Sequence, residues 1–221
     1  MDHRRASRRM VEDYVISNGV KDERVIDAMV EVPRHLFVEE ALAGQAYGDS
    51  ALPIGDGQSI SRPFVVARMS EALCLQGDER VLEVGGGSAY QSAILSRLAG
   101  EIFSIERLQS LATKARRILL TLKCQNVLFK VSDGTLGWKD KAPFDAILVA
   151  ASSPAVPQEL LSQLKDGGRL VIPIGKGGKN DVQHLMRYVK MGDSFKKEYL
   201  DDCSFVPLIG EQGWKEGEIN A

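Results

Sequence analysis

The sequence predicts an α/β chain with a doubly wound, mostly parallel sheet, extra helices at the N-terminus and antiparallel strands at the C-terminus. Three observations carry that expectation. From Arg80 to Ile174, short β-branched runs alternate with stretches of helical period, the pattern of right-handed βαβ crossovers with helices on both faces of a sheet. The run Arg80-Val81-Leu82-Glu83-Val84 passes straight into three glycines and then a helical segment, as a strand of such a sheet hands over to its helix. After Gly175 the long helical periods stop and hairpin-like runs replace them.

In chain order, residues 4–18 and 22–31 place apolar side chains at helical spacing. Pro33 stops the second segment because its ring disfavours helix in the residue before it. Between Gln45 and Ser61 the chain is rich in Gly, Asp, Ser and Pro, which predicts a long irregular loop without an element of its own, the kind of loop that often carries function. Ser61-Arg62-Pro63 reads as an N-cap with proline in the first turn of an apolar-periodic helix from Phe64 to Leu75. There follow a strand over 80–84 and a helix over 88–98, a strand over 101–106 and a helix over 108–121, and a strand over 126–131 with a loop. A strand over 145–150, a helix over 157–164 and a strand over 169–174 complete the alternation. The runs 182–190, 195–200 and 203–209 predict the antiparallel end of the sheet. With no repeat or low-complexity tract, 1–221 reads as one domain in three parts: N-terminal helices and loop over 1–62, the α/β core over 63–175 and C-terminal strands over 176–221.

The 221 residues allow one sizeable core. Hydrophobic residues at 44% and charged residues at 26% give the balance of a globular chain, and no apolar run approaches the ~20 residues of a membrane span. Arg4, Arg5, Arg8 and Arg9 precede no apolar signal region, so the expected location is the cytoplasm, away from any membrane. The net charge of −2 argues against a nucleic-acid partner, whose binding relies on clustered Lys and Arg. The four arginines are expected on the solvated face of the first helix. Cys74, Cys124 and Cys203, and His3, His35 and His184, are scattered. Their spacing supports no disulfide framework, no metal ligand set and no Ser-His-Asp triad, so the cysteines are expected to be buried free thiols.

The strongest chemical text is Val81 to Tyr90, strand into glycine turn into helix. In an open α/β sheet a ligand sits outside the carboxyl end of such a strand, where glycines admit it closely and the helix offers free N–H groups. A P-loop would need Gly-Lys-Ser/Thr, and a dinucleotide fingerprint would need glycine where Tyr90 stands. What remains, Glu83-Val84-Gly85-Gly86-Gly87, is similar to the E-x-G-x-G motif of class I S-adenosylmethionine methyltransferases, whose fold is Rossmann-like. On that reading Glu83, Gly85, Gly87 and Ser88 frame the amino-acid end of the cofactor. Glu106, with Arg107, ends the next strand about twenty residues on, where a carboxylate accepts ribose hydroxyls. Asp133 and Gly134 follow the third strand, at the expected place of the adenine. Each carboxylate alone could equally be a cap or a surface acid; it is their joint placement at three successive strand ends that points to the cofactor.

Over nearly its whole length the chain also resembles the protein-L-isoaspartate (D-aspartate) O-methyltransferases, the bacterial ones in particular. Matching blocks include Val32-Pro33-Arg34, Leu52-Pro53-Ile54-Gly55, Gly57-Gln58-Ser59-Ile60-Ser61, Tyr90-Gln91, Ser104-Ile105-Glu106-Arg107, Gly137-Trp138 and Phe205-Val206-Pro207-Leu208. The block ending in Ser61 is the one specific to this family. The resemblance implies methyl transfer from S-adenosyl-L-methionine, leaving S-adenosyl-L-homocysteine, to the free carboxylate of L-isoaspartyl and D-aspartyl residues in damaged proteins and peptides. The resulting ester collapses to a succinimide that can reopen to aspartate. It further implies that Ser61 is the active-site residue, holding the substrate carboxylate or the cofactor and not attacking as a nucleophile. Ile60 lies beside the cofactor, Phe205 and Val206 pair with substrate backbone, and the enzyme acts as a monomer. A carboxylate with pKa near ~4 is ionised at pH 7, so such a reaction requires no general base.

Three positions depart from the bacterial pattern: Gly86 replaces Thr, Ala89 replaces glycine, and Ser132 replaces glycine. Ala89 adds one methyl on the first turn of the helix, tolerable there if φ is negative, and Ser132 adds a hydroxyl near the expected adenine. Two other readings stand beside this one, a methyltransferase for a small-molecule or other peptide carboxylate and a non-catalytic cofactor-binding protein. Base methylation is disfavoured, because Ala150-Ala151-Ser152-Ser153-Pro154 stands where an Asn/Asp-Pro-Pro-aromatic motif is usual.

Overall fold

The computed structural model describes residues 3–177 and 182–217. Helix α1 (His3–Val11) runs into a π-helical turn, Glu12–Ile16, and helix α2 (Glu23–Glu31) follows. Asp22 caps α2 by accepting the Arg24 N–H at 3.0 Å, and the helix ends at Val32, next to Pro33. Arg4, Arg5, Arg8 and Arg9 lie on the exposed face of α1.

The stretch read as an irregular loop contains a hairpin, β1 (Leu52–Gly55) and β2 (Gln58–Ile60), paired Leu52 to Ile60 and Pro53 to Ser59. Its turn is Asp56-Gly57, with φ of 52° and 69°. Two consecutive left-handed residues match the twist of a two-residue hairpin, and Asp-Gly is the pair that adopts them most readily. Helix α3 (Pro63–Ala72) begins with proline at its first turn, but its N-cap is Arg62 with no side-chain cap bond, so Ser61 does not cap it.

The main sheet has seven strands: β3 (Arg80–Val84), β4 (Glu101–Glu106), β5 (Val127–Val131), β6 (Phe144–Val149), β7 (Leu164–Ile174), β8 (Gln183–Met191) and β9 (Ser194–Cys203). Their spatial order is β5-β4-β3-β6-β7-β8-β9, parallel from β5 to β7, with β8 antiparallel to both neighbours. The crossovers are helices α4 (Tyr90–Leu95), α5 (Gln109–Thr121) and α6 (Gln158–Ser162). Helix α6 is shorter than the sequence predicts because β7 starts early: Leu164 already pairs with Phe144 before a register shift leads to Arg169. The expected strand over 203–209 leaves the ladder after Cys203 and runs beside Ser152. Part of the segment read as 176–221, residues 178–181 and 218–221, lies outside the described residues.

Both faces of the sheet are covered, so its strands alternate between two apolar layers. Val81, Ile102, Ala146 and Leu148 join the layer containing α1 to α5, together with Met10, Val25, Met29, Met69 and Ile94. Leu82, Phe103, Ile105, Ile147 and Val149 join a second layer with Phe144 and Leu160. The sheet order reverses between β3, which is flanked by β4, and β6. That switch point opens a crevice at the carboxyl ends of β3, β4 and β6. Among the described residues no helix is long and apolar enough to cross a membrane, and no group of His, Cys, Asp and Glu could hold a metal ion. The cysteines are free. Cys124 and Cys203 are half-buried, but Cys74 is exposed rather than buried, because a φ of 51° just past the end of α3 turns it outward.

Candidate active site

The glycine turn between β3 and α4 is held from below by β4. Gly85 and Gly86 donate their N–H groups to the Ile105 carbonyl at 2.9 and 3.0 Å, and Gly87 donates to Glu106 Oε2 at 2.9 Å. The other oxygen of Glu106 accepts the Leu108 N–H at 2.8 Å. The buried carboxylate is therefore fixed by two backbone donors, and each oxygen retains acceptor capacity. Gly85 and Gly87 adopt φ of 86° and 49°. Ala89 also stands in the left-handed region, at φ 68° and ψ 14°, so the condition under which its methyl is tolerated without strain, a negative φ, is not met. An alanine there carries a conformational cost of about 1–2 kcal/mol that glycine would not. Gly86 has a packing reason: a Cβ would lie 2.5 Å from Ser104 Oγ and 2.6 Å from Phe129 Cζ.

Above this turn lies an open cleft with an internal volume of about 100 Å³. Its floor and walls include Gly85, Gly87, Glu106, Arg107, Gly134 and Ala150, with Ile54 and Ser59 from the hairpin and Val206 to Ile209 from the C-terminal segment. Arg107 pairs with Glu216 at 3.0 Å. Asp133 faces the C-terminal segment. Its Oδ1 accepts from Thr135 N and Oγ1 at 2.8 and 2.7 Å, and its Oδ2 accepts from Glu211 N at 2.8 Å. Ser132 donates its N–H to the Glu106 carbonyl at 3.2 Å. The segment is tied down further where Trp214 Nε1 donates to the Ser152 carbonyl at 3.0 Å and Gln212 N to Thr135 Oγ1 at 3.1 Å.

Glu83 is fully buried beneath the turn. Ser92 Oγ donates to its Oε2, and Oε1 has no partner. Burial pushes its carboxyl up to about 7, against the pull of the Ser104 and Ser92 hydroxyls and with the nearby Glu106 charge acting in the same direction as burial. Its side chain supports the turn from within and does not line the cleft.

A second cleft adjoins the first and shares Ser59, Ala150 and Val206 with it. Ser61, Arg62, Phe64, Asp202 and Phe205 line its remainder. Among the described residues no group hydrogen-bonds the Ser61 hydroxyl, while the Ser61 carbonyl accepts Arg34 Nη2 at 2.7 Å. Arg62 pairs with Asp49 at 2.8 Å at the rim. The Phe205 backbone is already engaged, with its N–H donating to Gln183 Oε1 at 2.7 Å and its carbonyl accepting Gln183 Nε2 at 3.0 Å. The Val206 carbonyl accepts Ser152 N at 2.8 Å, which leaves the Val206 N–H as the unpartnered backbone group of this pair among the described residues.

Of the residues singled out from the sequence, Gly85, Gly87, Glu106, Arg107, Gly134 and Val206 meet on the first cleft, and Ser61, Phe205 and Val206 on the second. Ile60 points into the core, and Ser88 lines an apolar hollow with Phe37 and Leu111 that shares Ile54 and Gly87 with the first cleft. Sequence reasoning passed over Ser59, Ala150 and Ile209. The end of the fourth parallel strand was a usable signal for Ala150; nothing local marks Ile209.

The family model for protein-L-isoaspartate(D-aspartate) O-methyltransferase (PCMT) matches residues 6–213. The chain is 54% identical over 217 residues to a protein-L-isoaspartate O-methyltransferase of Syntrophotalea carbinolica, covering 98% of this chain and 99% of that one. Among solved structures it is similar to a protein-L-isoaspartate O-methyltransferase, with a TM-score of 0.84 at 28% identity over 95% of this chain and 67% of that one. It is similar also to a Plasmodium falciparum chain named for the same methyltransferase and solved in complex with S-adenosyl-L-homocysteine. The TM-score there is 0.78 at 24% identity, over 92% of this chain and 98% of that one, a likeness that speaks for the fold.

Proposed function

Because the chain belongs to the protein-L-isoaspartate(D-aspartate) O-methyltransferase family, we propose that its two joined clefts methylate the free carboxylate of isoaspartyl residues in damaged proteins, with S-adenosylmethionine as methyl donor. The observation that carries this reading is the sharing of Ser59, Ala150 and Val206 between the glycine-turn cleft and the groove lined by Ser61. One set of residues borders both donor and acceptor sites.

The residues present fit the cofactor. Gly85 and Gly87 at positive φ form a cradle in which side chains would be strained. Glu106 has free lone pairs on a carboxylate already locked in place, as recognition of a diol requires. Gly134, Leu208 and Ile209 offer backbone and apolar contact for a flat ring. Bound S-adenosylmethionine supplies a methyl group activated by its positively charged sulfur. The chain's part is positional: an ionised acceptor carboxylate is already a nucleophile at neutral pH, so the rate depends on orientation and on water exclusion. The Ser61 hydroxyl is available to donate to that carboxylate, and Phe64, Phe205 and Val206 give the groove apolar walls. The net charge of −2 disfavours a nucleic-acid partner, and the same reading assigns the reaction to a monomer in the cytoplasm.

The test is methyl transfer from labelled S-adenosylmethionine to two synthetic peptides that differ only in isoaspartate against aspartate. Label is expected on the isoaspartyl peptide alone, in a base-labile ester, with Ser61→Ala lowering kcat/KM by roughly tenfold or more. Transfer to neither peptide by a protein that binds S-adenosylhomocysteine would overturn the reading.

A further inference from the structure

Arg34 is completely buried, which is expensive for a cation unless its donors are used. It forms no ion pair among the described residues, and burial holds its guanidinium below the ordinary arginine range. Its hydrogen-bond partners are two backbone carbonyls at opposite ends of one segment, while Nη1 has none among the described residues. Nε donates to Ala46 at 2.8 Å, where the chain enters the stretch that contains the β1–β2 hairpin, and Nη2 donates to Ser61 at 2.7 Å, where the chain leaves it. The guanidinium carbon Cζ lies 4.8 Å from the ring centroid of Tyr90, the first residue of α4 after the glycine turn. Phe37 packs edge-on against the same ring at 5.2 Å. One planar fork thus ties both ends of the substrate-side segment to the helix that begins the cofactor cradle.

We propose that Arg34 is a positioning residue for methyl transfer: it fixes Ser61 and the β1–β2 hairpin against α4 and so sets the distance between the acceptor groove and the donor cleft. The proposal rests on the function assigned above. It follows from the geometry that lysine is no substitute, since a single ammonium cannot reach two carbonyls and stack on Tyr90 together. Arg34 touches neither cleft, so its loss acts on the acceptor side, through Ser61, whose carbonyl it holds.

The test compares Arg34→Lys and Arg34→Met with wild type in three readouts: kcat and KM for an isoaspartyl peptide, the Kd of S-adenosylhomocysteine, and hydrogen exchange of the amides over 46–61. Arg34→Lys keeps a cation and one donor, so it holds the fold if the shape-matched Met variant does not. The expected result for Arg34→Lys is a kcat reduced by roughly 10²-fold, the loss that a displacement near 1 Å produces. The Kd should stay within about twofold, with faster exchange confined to 46–61. A kcat near that of wild type, or a Kd that weakens in parallel with kcat, would overturn the proposal and leave Arg34 a structural residue. Failure of the function assignment reads differently: wild type itself would then methylate no isoaspartyl peptide, while the exchange comparison would still report whether Arg34 holds the segment.

Discussion

Glu83 and Gly86 show two different ways in which a residue's surroundings decide its meaning. Glu83 holds its proton more tightly in the folded chain, up to about 7 against a reference of 4.5. A raised carboxyl favours folding below the unfolded value and loses that contribution as pH climbs through the folded one. Stability should therefore decline between about pH 4.5 and 7 by about 3 kcal/mol. Glu83→Gln removes this titration, so chemical denaturation across the window should give a flat midpoint for the variant and a falling one for wild type; parallel curves would refute the assignment. The sequence places Glu83 correctly at the end of β3 but could not show that it turns inward to Ser92, because strand alternation gives a face and not a partner. Gly86 stands where the bacterial pattern has Thr, and the neighbours that fill the space of a side chain are Ser104 on β4 and the ring of Phe129 on β5. Gly86→Thr should cost about 1–3 kcal/mol by overpacking. In a Phe129→Ala background the part of that cost due to the ring should vanish while the contact with Ser104 remains, and urea titration of the four proteins in the cycle reads the coupling directly.

At the scale of elements, the parallel core was legible because each strand and helix announces itself by its own period, from Arg80 to Ile174. The hairpin β1–β2 was not, since its short strands offer no sustained alternation, although Asp56-Gly57 was a readable turn signal. The C-terminal wall was misread for a different reason. Residues 204–209 have strand-like composition, but the backbone bonds of Val206 and Leu208 go to Ser152, and Phe205 is held by the Gln183 side chain and not by a strand ladder, a long-range choice that no window of sequence contains. That wall is clasped by Asp133 through the Glu211 amide and Thr135. Charge-assisted bonds of this kind contribute roughly 1.5–3 kcal/mol. Asp133→Ala is thus expected to weaken S-adenosylhomocysteine binding by about tenfold or more, with calorimetry as the check and an unchanged Kd as the result that would count against the clasp.

Across the whole molecule, the N-terminal helices share one apolar layer with α3, α4 and the sheet, so they are built into the core and are not an appendage. Met29, fully buried, lies against the Tyr90 hydroxyl at 3.6 Å. Met29→Ala should destabilise by about 2–5 kcal/mol and shift a single cooperative transition, with near- and far-ultraviolet dichroism melting together; a separate early transition would mean that the helices unfold alone. The same wholeness frames the proposed acceptor groove, where the Val206 amide is the backbone group of its pair left free among the described residues. An isoaspartyl link threads an additional carbon into the main chain. A partner strand read at many successive points would be thrown out of step by that carbon beyond the lesion, whereas a reader that grips at a single amide has no step to lose. On the proposed reading, sparse contact is in this sense a tolerance: it would let the groove accept a chain whose spacing is the very thing that has gone wrong.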